Sequence, residues 1–353
     1  MFNLNNLKKI KRIREKDKRN FEKGIRADRN EKVENWSQKI FNRIFLKIKN
    51  HEFTSYYNTT QLMKLEKKVG SFFKIKRENF VINHGGDGVI KEFLFLNYKN
   101  NLKVLLNANN YGMYKVYFKG LNIKAFEAPY IADLKKKNIF SLNYKLFYKY
   151  IKKSDIIIFT YPNVVSNFDF KIFEMEKICK KYPNKKFFID ESYFGFGHPT
   201  CLPLVKKNKN IFILRSLTKT FGLASSRVGF LISHKENIKP FKAIETPYPL
   251  SLFSGKCLEY FIQNKKISFQ YNKKVKLGRE YFSKKMRNKN YLINDGGGLS
   301  ILIYFKSKQK LNFLYKKLIR NKIYTKILNV NNLNFLRVTC APKNTMNKIL
   351  KFF

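Results

Sequence analysis

The chain has 353 residues, with 73 lysines and arginines against 24 aspartates and glutamates, a formal net charge of +49. That length is enough to bury a large domain and a smaller one, and the lack of an apolar run of about 18 residues argues against a membrane-spanning helix. Four cysteines, Cys179, Cys201, Cys257 and Cys340, are scattered without metal-ligand spacing, so they read as reduced thiols rather than a disulfide framework or zinc site.

A charge of this size raises the question of a nucleic-acid partner, because lysines and arginines neutralise phosphates. The excess is spread along the chain and accompanied by abundant Asn, Ile and Phe, residues that AT-rich codons specify. Genome composition accounts for it, and no nucleic-acid partner is expected. Met1–Leu7 lacks the apolar core of a signal peptide, which points to the cytoplasm. The basic block from Lys8 to Lys23 reads as a mobile, solvated arm.

Apolar positions recur at helical spacing from Trp36 to Ile48, and from there to about residue 240 strands alternate with helical stretches. That alternation predicts an α/β fold, with a mostly parallel sheet covered on both faces. Thr246-Pro247-Tyr248-Pro249 marks a boundary, since prolines disfavour helix. Helices are expected over Leu250–Phe261 and Val275–Met286, and a small sheet from Gly298–Phe305 and Asn334–Thr339. The division is a basic arm and opening segment over 1–45, a large domain over 46–245 and a small domain over 246–353.

Four strand ends carry polar residues. Phe80–Leu94 changes from strand to helix across Gly85, Gly86 and Gly88, and its amides suit an anion; Gly86 and Asp87 are the candidates for a phosphate cup. The strand Val104–Leu106 runs toward Tyr111 and Tyr114, of which Tyr111 is the better placed to stack on a flat ring, although either tyrosine can be core. Ile156–Thr160 leads to Asn163, and Phe187–Ile189 to Asp190 and Tyr193. Carboxylates at carboxyl-terminal strand ends occupy the usual ligand position of open α/β sheets. Finally, Ser216-Leu217-Thr218-Lys219 sets one amine beside two hydroxyls, with Arg227 following, and Val228–Ser233 then reads as the one antiparallel strand.

An amine of lowered pKa, short hydroxyl donors and a fixed guanidinium are what holds pyridoxal 5'-phosphate: Lys219 for the Schiff base, and Ser216, Thr218 and Arg227 for the phosphate. Asp190 suits the protonated pyridine nitrogen, and Tyr193 and Asn163 suit the ring hydroxyl.

Taken in order, these motifs resemble a fold-type-I pyridoxal-phosphate-dependent enzyme of the aspartate aminotransferase superfamily, most of all its histidinol-phosphate aminotransferase branch. The resemblance runs from about Arg26 to the end and rests on Ala27-Asp28-Arg29-Asn30-Glu31, Tyr111-Gly112-Met113-Tyr114, Asp190-Glu191-Ser192-Tyr193 and Ser216-Leu217-Thr218-Lys219. It implies a large domain with a seven-stranded, mostly parallel sheet between helices, a smaller α/β domain, and a homodimer with shared sites. It further implies that Tyr57, or less well Tyr56, reaches the neighbouring subunit's cofactor, and that Arg337 holds the substrate's anionic end.

Departures are visible. The family's Asn-Pro-Thr-Gly element is represented by Asn163-Val164-Val165-Ser166-Asn167; spacing to Asp190 aligns Asn163, whereas the preceding proline aligns Val164. A second family arginine is replaced by Lys326 or lost in a shortened loop, and a lysine grips phosphate as a point charge. The expected reaction is transamination of a small phosphorylated or carboxylated amine. Decarboxylation of a phosphorylated amino acid on the same scaffold, and a catalytically inert binding module, are the competing readings.

Overall fold

The computed structural model describes residues 8, 19–46, 48–165, 169–296 and 298–353. Most of the basic arm, Ser166 and Asn167 therefore lie outside the described residues.

The architecture is α/β, as the alternation of strands and helices predicts. Seven strands form the main sheet: β1 (Phe80–His84), β2 (Lys103–Asn107), β3 (Lys124–Ala128), β4 (Ile156–Thr160), β5 (Lys186–Asp190), β6 (Ile211–Ser216) and β7 (Val228–Ser233). Their order is β1-β7-β6-β5-β4-β2-β3. The pairs β5–β6, β2–β4 and β2–β3 are parallel, whereas β7 is antiparallel to both β1 and β6, the orientation expected of it. Apolar runs such as Phe187–Ile189 and Ile211–Leu214 are buried throughout, because a parallel sheet is covered on both faces and its strands have no solvent side.

The chain packs as two compact units. One comprises Asn35–Tyr98 and Ile172–Tyr271; the other gathers the described residues up to Glu34 with Lys99–Lys171 and Asn272–Phe353. The Asn35–Tyr98/Ile172–Tyr271 unit contains β1, β5, β6 and β7, and among its helices are Thr59–Phe73, Gly85–Leu96 and Leu252–Gln263. Its core is rich in phenylalanine: Phe93 meets Phe188 and Phe212 at 4.4 and 5.0 Å, and Phe73 meets Phe230 at 5.2 Å. Such tilted and edge-on contacts suit the ring quadrupole.

The other unit contains β2, β3 and β4 and a second sheet of β8 (Ile293–Asn294), β9 (Ser300–Phe305), β10 (Lys326–Val330) and β11 (Leu333–Thr339), antiparallel in the order β8-β9-β11-β10. Its opening segment is stitched to this sheet. Ile25 and Arg26 pair with Ile323 and Tyr324, Thr339 N donates to Ala27 O at 2.9 Å, and Asn30 N donates to Thr339 Oγ1 at 3.1 Å.

Some element bounds move. The helix expected over 36–48 spans Gln38–Phe45, the one expected from 250 spans Leu252–Gln263, and the one expected from 275 begins at Lys265 and runs to Asn288. All four cysteines are free and buried, and burial pushes the thiols of Cys179 and Cys257 up to about 12.

Candidate active site

In the Asn35–Tyr98/Ile172–Tyr271 unit the glycine cluster forms a tight seat. Gly85 adopts φ +70 as β1 turns into the helix Gly85–Leu96. A Cβ on Gly229 of β7 would lie 2.5 Å from the carbonyl carbon and oxygen of Gly85, and one on Gly85 would lie 2.9 Å from Arg227 Nη2. Only glycines let strand, helix start and guanidinium approach this closely. Arg227 is itself left-handed, φ 49 and ψ 51, and its Nη2 lies 3.0 Å from Asp87 Oδ2. Asp87 thus fixes the cation while the first amides of the helix, which have no intrahelical acceptor, point outward.

Ser216 ends β6. Its Oγ donates to Thr218 Oγ1 at 2.9 Å and accepts from Thr218 N at 3.2 Å, capping the short helix Leu217–Thr220 that carries Lys219. The half-buried lysine sits on a pinned loop. Thr220 Oγ1 donates to Phe194 O, and a Cβ on Gly195 (φ +88) would come within 2.4 Å of Thr220 Cγ2. Trp36 Nε1 donates to Phe221 O at 3.0 Å, with its indole 5.3 Å from Phe261 and 5.6 Å from Tyr271.

Asp190 ends β5 and is 4% exposed. Its Oδ1 accepts from Ser192 N at 3.0 Å and Ser192 Oγ at 2.5 Å, and it stands opposite Leu214 in register. The seat of Gly86 borders both Leu214 and Ser192 Oγ, so the carboxylate and the helix start share one face of the sheet. Glu191 is buried in other company. Its Oε2 takes Arg215 Nη2 at 2.9 Å and Nε at 3.1 Å, its Oε1 takes Cys201 N at 2.5 Å, and Thr200 Oγ1 donates to it. Tyr193 is half-buried.

Tyr57 is 6% exposed and packs within its own chain, where a Cβ on Gly255 would lie 2.5 Å from its ring. Burial first, then Glu259 and Glu52, pushes its hydroxyl up to about 12. Tyr56 is 77% exposed and stacks on Tyr248 at 4.4 Å.

The other unit holds the remaining candidates. Tyr114 is fully buried, whereas Tyr111 is 50% exposed, which makes Tyr111 the ring with a face to offer. Asn163 is buried, and its Oδ1 accepts from Val165 N at 2.7 Å. Lys326 and Arg337 stand directly opposite each other on β10 and β11, and Arg337 Nη2 donates to Asp28 O.

The pattern of residues therefore brings Gly86, Asp87, Asp190, Ser216, Thr218 and Arg227 into one constellation, with Lys219 on the adjoining pinned loop. Ser192, Thr220, Gly195 and Trp36 support it, although the sequence assigned none of them a role in the site. Ser192 had a local signal, a hydroxyl two residues after an aspartate; Trp36 had none.

The donor set fits pyridoxal 5'-phosphate. Helix-start amides, two hydroxyls and a guanidinium suit its phosphate, the buried Asp190 carboxylate suits a ring N–H, and Lys219 suits its aldehyde. Nowhere among the described residues do three or more His, Cys, Asp or Glu gather as metal ligands, and no described helix is long and apolar enough to cross a membrane.

Comparison with known proteins agrees. The profile of the family "Aminotransferase class I and II" matches residues 17–353. The chain is 27% identical over 342 residues to the histidinol-phosphate aminotransferase of Clostridium novyi, covering 95% of this chain and 92% of that one. It is 26% identical over 302 residues to that of Lactococcus lactis subsp. lactis, covering 84% and 81%. In three dimensions it resembles the pyridoxal-5'-phosphate complex of Sinorhizobium meliloti histidinol-phosphate aminotransferase, with a TM-score of 0.79, 15% identity and coverage of 92% and 89%. It also resembles L-threonine-O-3-phosphate decarboxylase from Porphyromonas gingivalis, with a TM-score of 0.76, 12% identity and coverage of 93% and 98%. The chain belongs to the aminotransferase class I and II family, and is a pyridoxal 5'-phosphate-dependent transaminase similar to histidinol-phosphate aminotransferases.

Proposed function

We propose that this transaminase exchanges the amino group of an amino acid with a small keto or amine substrate that carries a phosphate or carboxylate, in the manner of a histidinol-phosphate aminotransferase. The observation that carries this reading is the register of β10 and β11, which sets Lys326 directly opposite Arg337. Like charges facing each other across a ladder repel, and an anion between them turns that cost into a grip.

When bound, the cofactor supplies a carbonyl that condenses with amines and a ring that takes up carbanion electrons. Lys219 would hold the cofactor's aldehyde through Nζ, and its amine, when free, would serve as the base for the substrate's α-proton. Asp190 would hold a proton on the pyridine nitrogen, Tyr193 and Asn163 would bond the ring hydroxyl, and Tyr111 would stack on the ring. Gly86, Asp87, Ser216, Thr218 and Arg227 would hold the phosphate. Residues 46–245 form the cofactor-binding domain and 246–353 the small domain in this reading, and the enzyme works in the cytoplasm.

The active form is a homodimer in which Tyr57 serves the neighbouring site. Supporting this, Phe53 and Tyr56, close to Tyr57 in the chain, are about four-fifths exposed (80% and 77%), as is Leu46 (80%), a large apolar surface for a monomer.

The test is spectroscopic. Purified protein incubated with the cofactor is expected to show a visible band that borohydride abolishes, leaving a label on Lys219; Lys219→Ala is expected to lose label and turnover together. Arg337→Ala should raise KM for an anionic substrate at least tenfold, on the order of 1.4 kcal/mol. Carbon dioxide release in place of pyridoxamine formation would favour decarboxylation, and a labelled protein with unchanged KM in Arg337→Ala would remove the anion reading.

A further inference from the structure

The carboxyl ends of β2 and β4 carry a hydrogen-bonded chain of side chains that the reaction scheme above does not use. Asp169 Oδ2 accepts from Asn107 Nδ2 at 2.7 Å and from Tyr130 OH at 2.8 Å, and Asn107 Nδ2 also reaches Tyr130 OH at 2.6 Å. Asn107 Oδ1 in turn accepts from Asn110 Nδ2 at 3.0 Å. Asn110 Oδ1 then accepts twice, from Thr160 Oγ1 at 2.6 Å and from the backbone N of Tyr111 at 2.7 Å. Tyr144 OH closes the far end by donating to Asp169 O at 2.6 Å. Asn107, Tyr130 and Thr160 are buried, Asn110 and Asp169 are half-buried and Tyr144 is 45% exposed, so the middle of this chain is withdrawn from water and its far end is not.

The chain ends on one residue. Asn109 turns through the left-handed region at φ 56, and Tyr111 follows at the start of the helix Gly112–Gly120, which no side chain caps. Among the described residues the Tyr111 N–H is held by the Asn110 amide, whose orientation is set by Asn107 on one side and Thr160 on the other. An amide held at both its oxygen and its nitrogen cannot flip, and Asn107 is oriented by a carboxylate that accepts only. A charged acceptor also makes the stronger bonds. A surface loop of this length would place its tyrosine without such buried wiring, and the ring whose placement it controls is the exposed one.

We propose that Asp169, acting through Asn107 and Asn110, is a positioning residue that sets the tilt of the Tyr111 ring. The proposal rests on the reading that Tyr111 stacks on the cofactor ring, but its backbone half does not. Asp169→Asn replaces a charged acceptor by a neutral amide oxygen, so the bonds that hold Asn107 and Tyr130 weaken and the orientation passed to Asn110 loosens.

The test uses the full chain. In cofactor-free protein, hydrogen exchange of the Tyr111 amide should speed about three- to tenfold in Asp169→Asn and in the milder Thr160→Val. In protein loaded with pyridoxal 5'-phosphate, the same variants should weaken cofactor binding by about three- to tenfold and alter the visible circular dichroism of the bound chromophore. Adding Asp169→Asn to Tyr111→Ala should then change neither binding nor dichroism further, because interacting residues are non-additive. Unchanged amide exchange in both variants, or losses that simply add to those of Tyr111→Ala, would overturn the proposal. Exchange that speeds in a protein binding no cofactor would uphold the backbone wiring and reject the cofactor reading instead.

Discussion

Glu191 and Arg215 show how much of the site's rigidity lies one residue away from the groups that do chemistry. Each is buried, each immediately neighbours a candidate ligand, Asp190 or Ser216, and each satisfies the other by two hydrogen bonds with Thr200 and Cys201 filling in. Arg215 Cζ also lies 4.5 Å from the ring centre of Phe194 and 4.9 Å from that of Phe73, which a cation favours. Removing one partner leaves a buried charge uncompensated. Glu191→Ala is expected to lower unfolding free energy by about 3–5 kcal/mol in urea titrations, and the double replacement Glu191→Leu with Arg215→Met to recover most of it. None of this pairing could be read from sequence, because the two residues are 24 positions apart and nothing local joins them. Asp190, Lys219 and Arg227 by contrast sit in local patterns of strand end, hydroxyl and glycine, which a single chain does display.

Strands and glycine seats were legible for different reasons. The runs at β4, β5 and β7 are short, apolar and bounded by polar residues, so their type followed from composition alone, and the antiparallel sense of β7 followed from its tight connection to the lysine loop. Helix ends were less legible, since the Lys265–Asn288 helix opens with Lys265 and Lys266 and then sets Ile267, Phe269 and Tyr271 two residues apart, a spacing that does not mark a helix. What no periodicity reveals is which glycines are obligatory. Gly229 and Gly112 look alike in the chain, yet a Cβ on Gly229 would meet the backbone of Gly85 at 2.5 Å, while one on Gly112 would meet nothing within 4 Å. Gly229→Ala should cost about 1–3 kcal/mol and weaken binding of the cofactor phosphate by shifting the helix start. Gly112→Ala should stay within about 0.5 kcal/mol of the parent or exceed it, because its change acts mainly on the unfolded chain. Thermal melts of the two variants decide this directly.

With 73 cationic side chains against 24 anionic ones, most lysines must be solvated, and the half-buried Lys32 is among the exceptions. Burial lowers Lys32 from 10.5 to about 8, with Arg26 pushing the same way and Glu34 opposing; its Nζ donates to Glu34 O at 2.9 Å. Between those two values the unfolded chain binds a proton at this site that the folded chain has released, so folding stability rises with pH from about 8 to 10.5. Lys32→Met should remove that rise and be the more stable protein at pH 7, measured as urea midpoints of both proteins across the range. The two compact units were the least legible feature, because each is assembled from segments separated by stretches of the other. That interleaving bears on synthesis. Lys99–Lys171, with the apolar strands β2 and β4, leaves the ribosome long before its partners in Asn272–Phe353 exist. At about 5–20 residues per second the wait is on the order of ten to thirty seconds. For that interval β2, β3 and β4 can pair with one another while the segment's contacts with Asn294, Asn331 and Phe335 stay unmade, which makes the nascent chain a natural client for chaperones that guard emerging polypeptides.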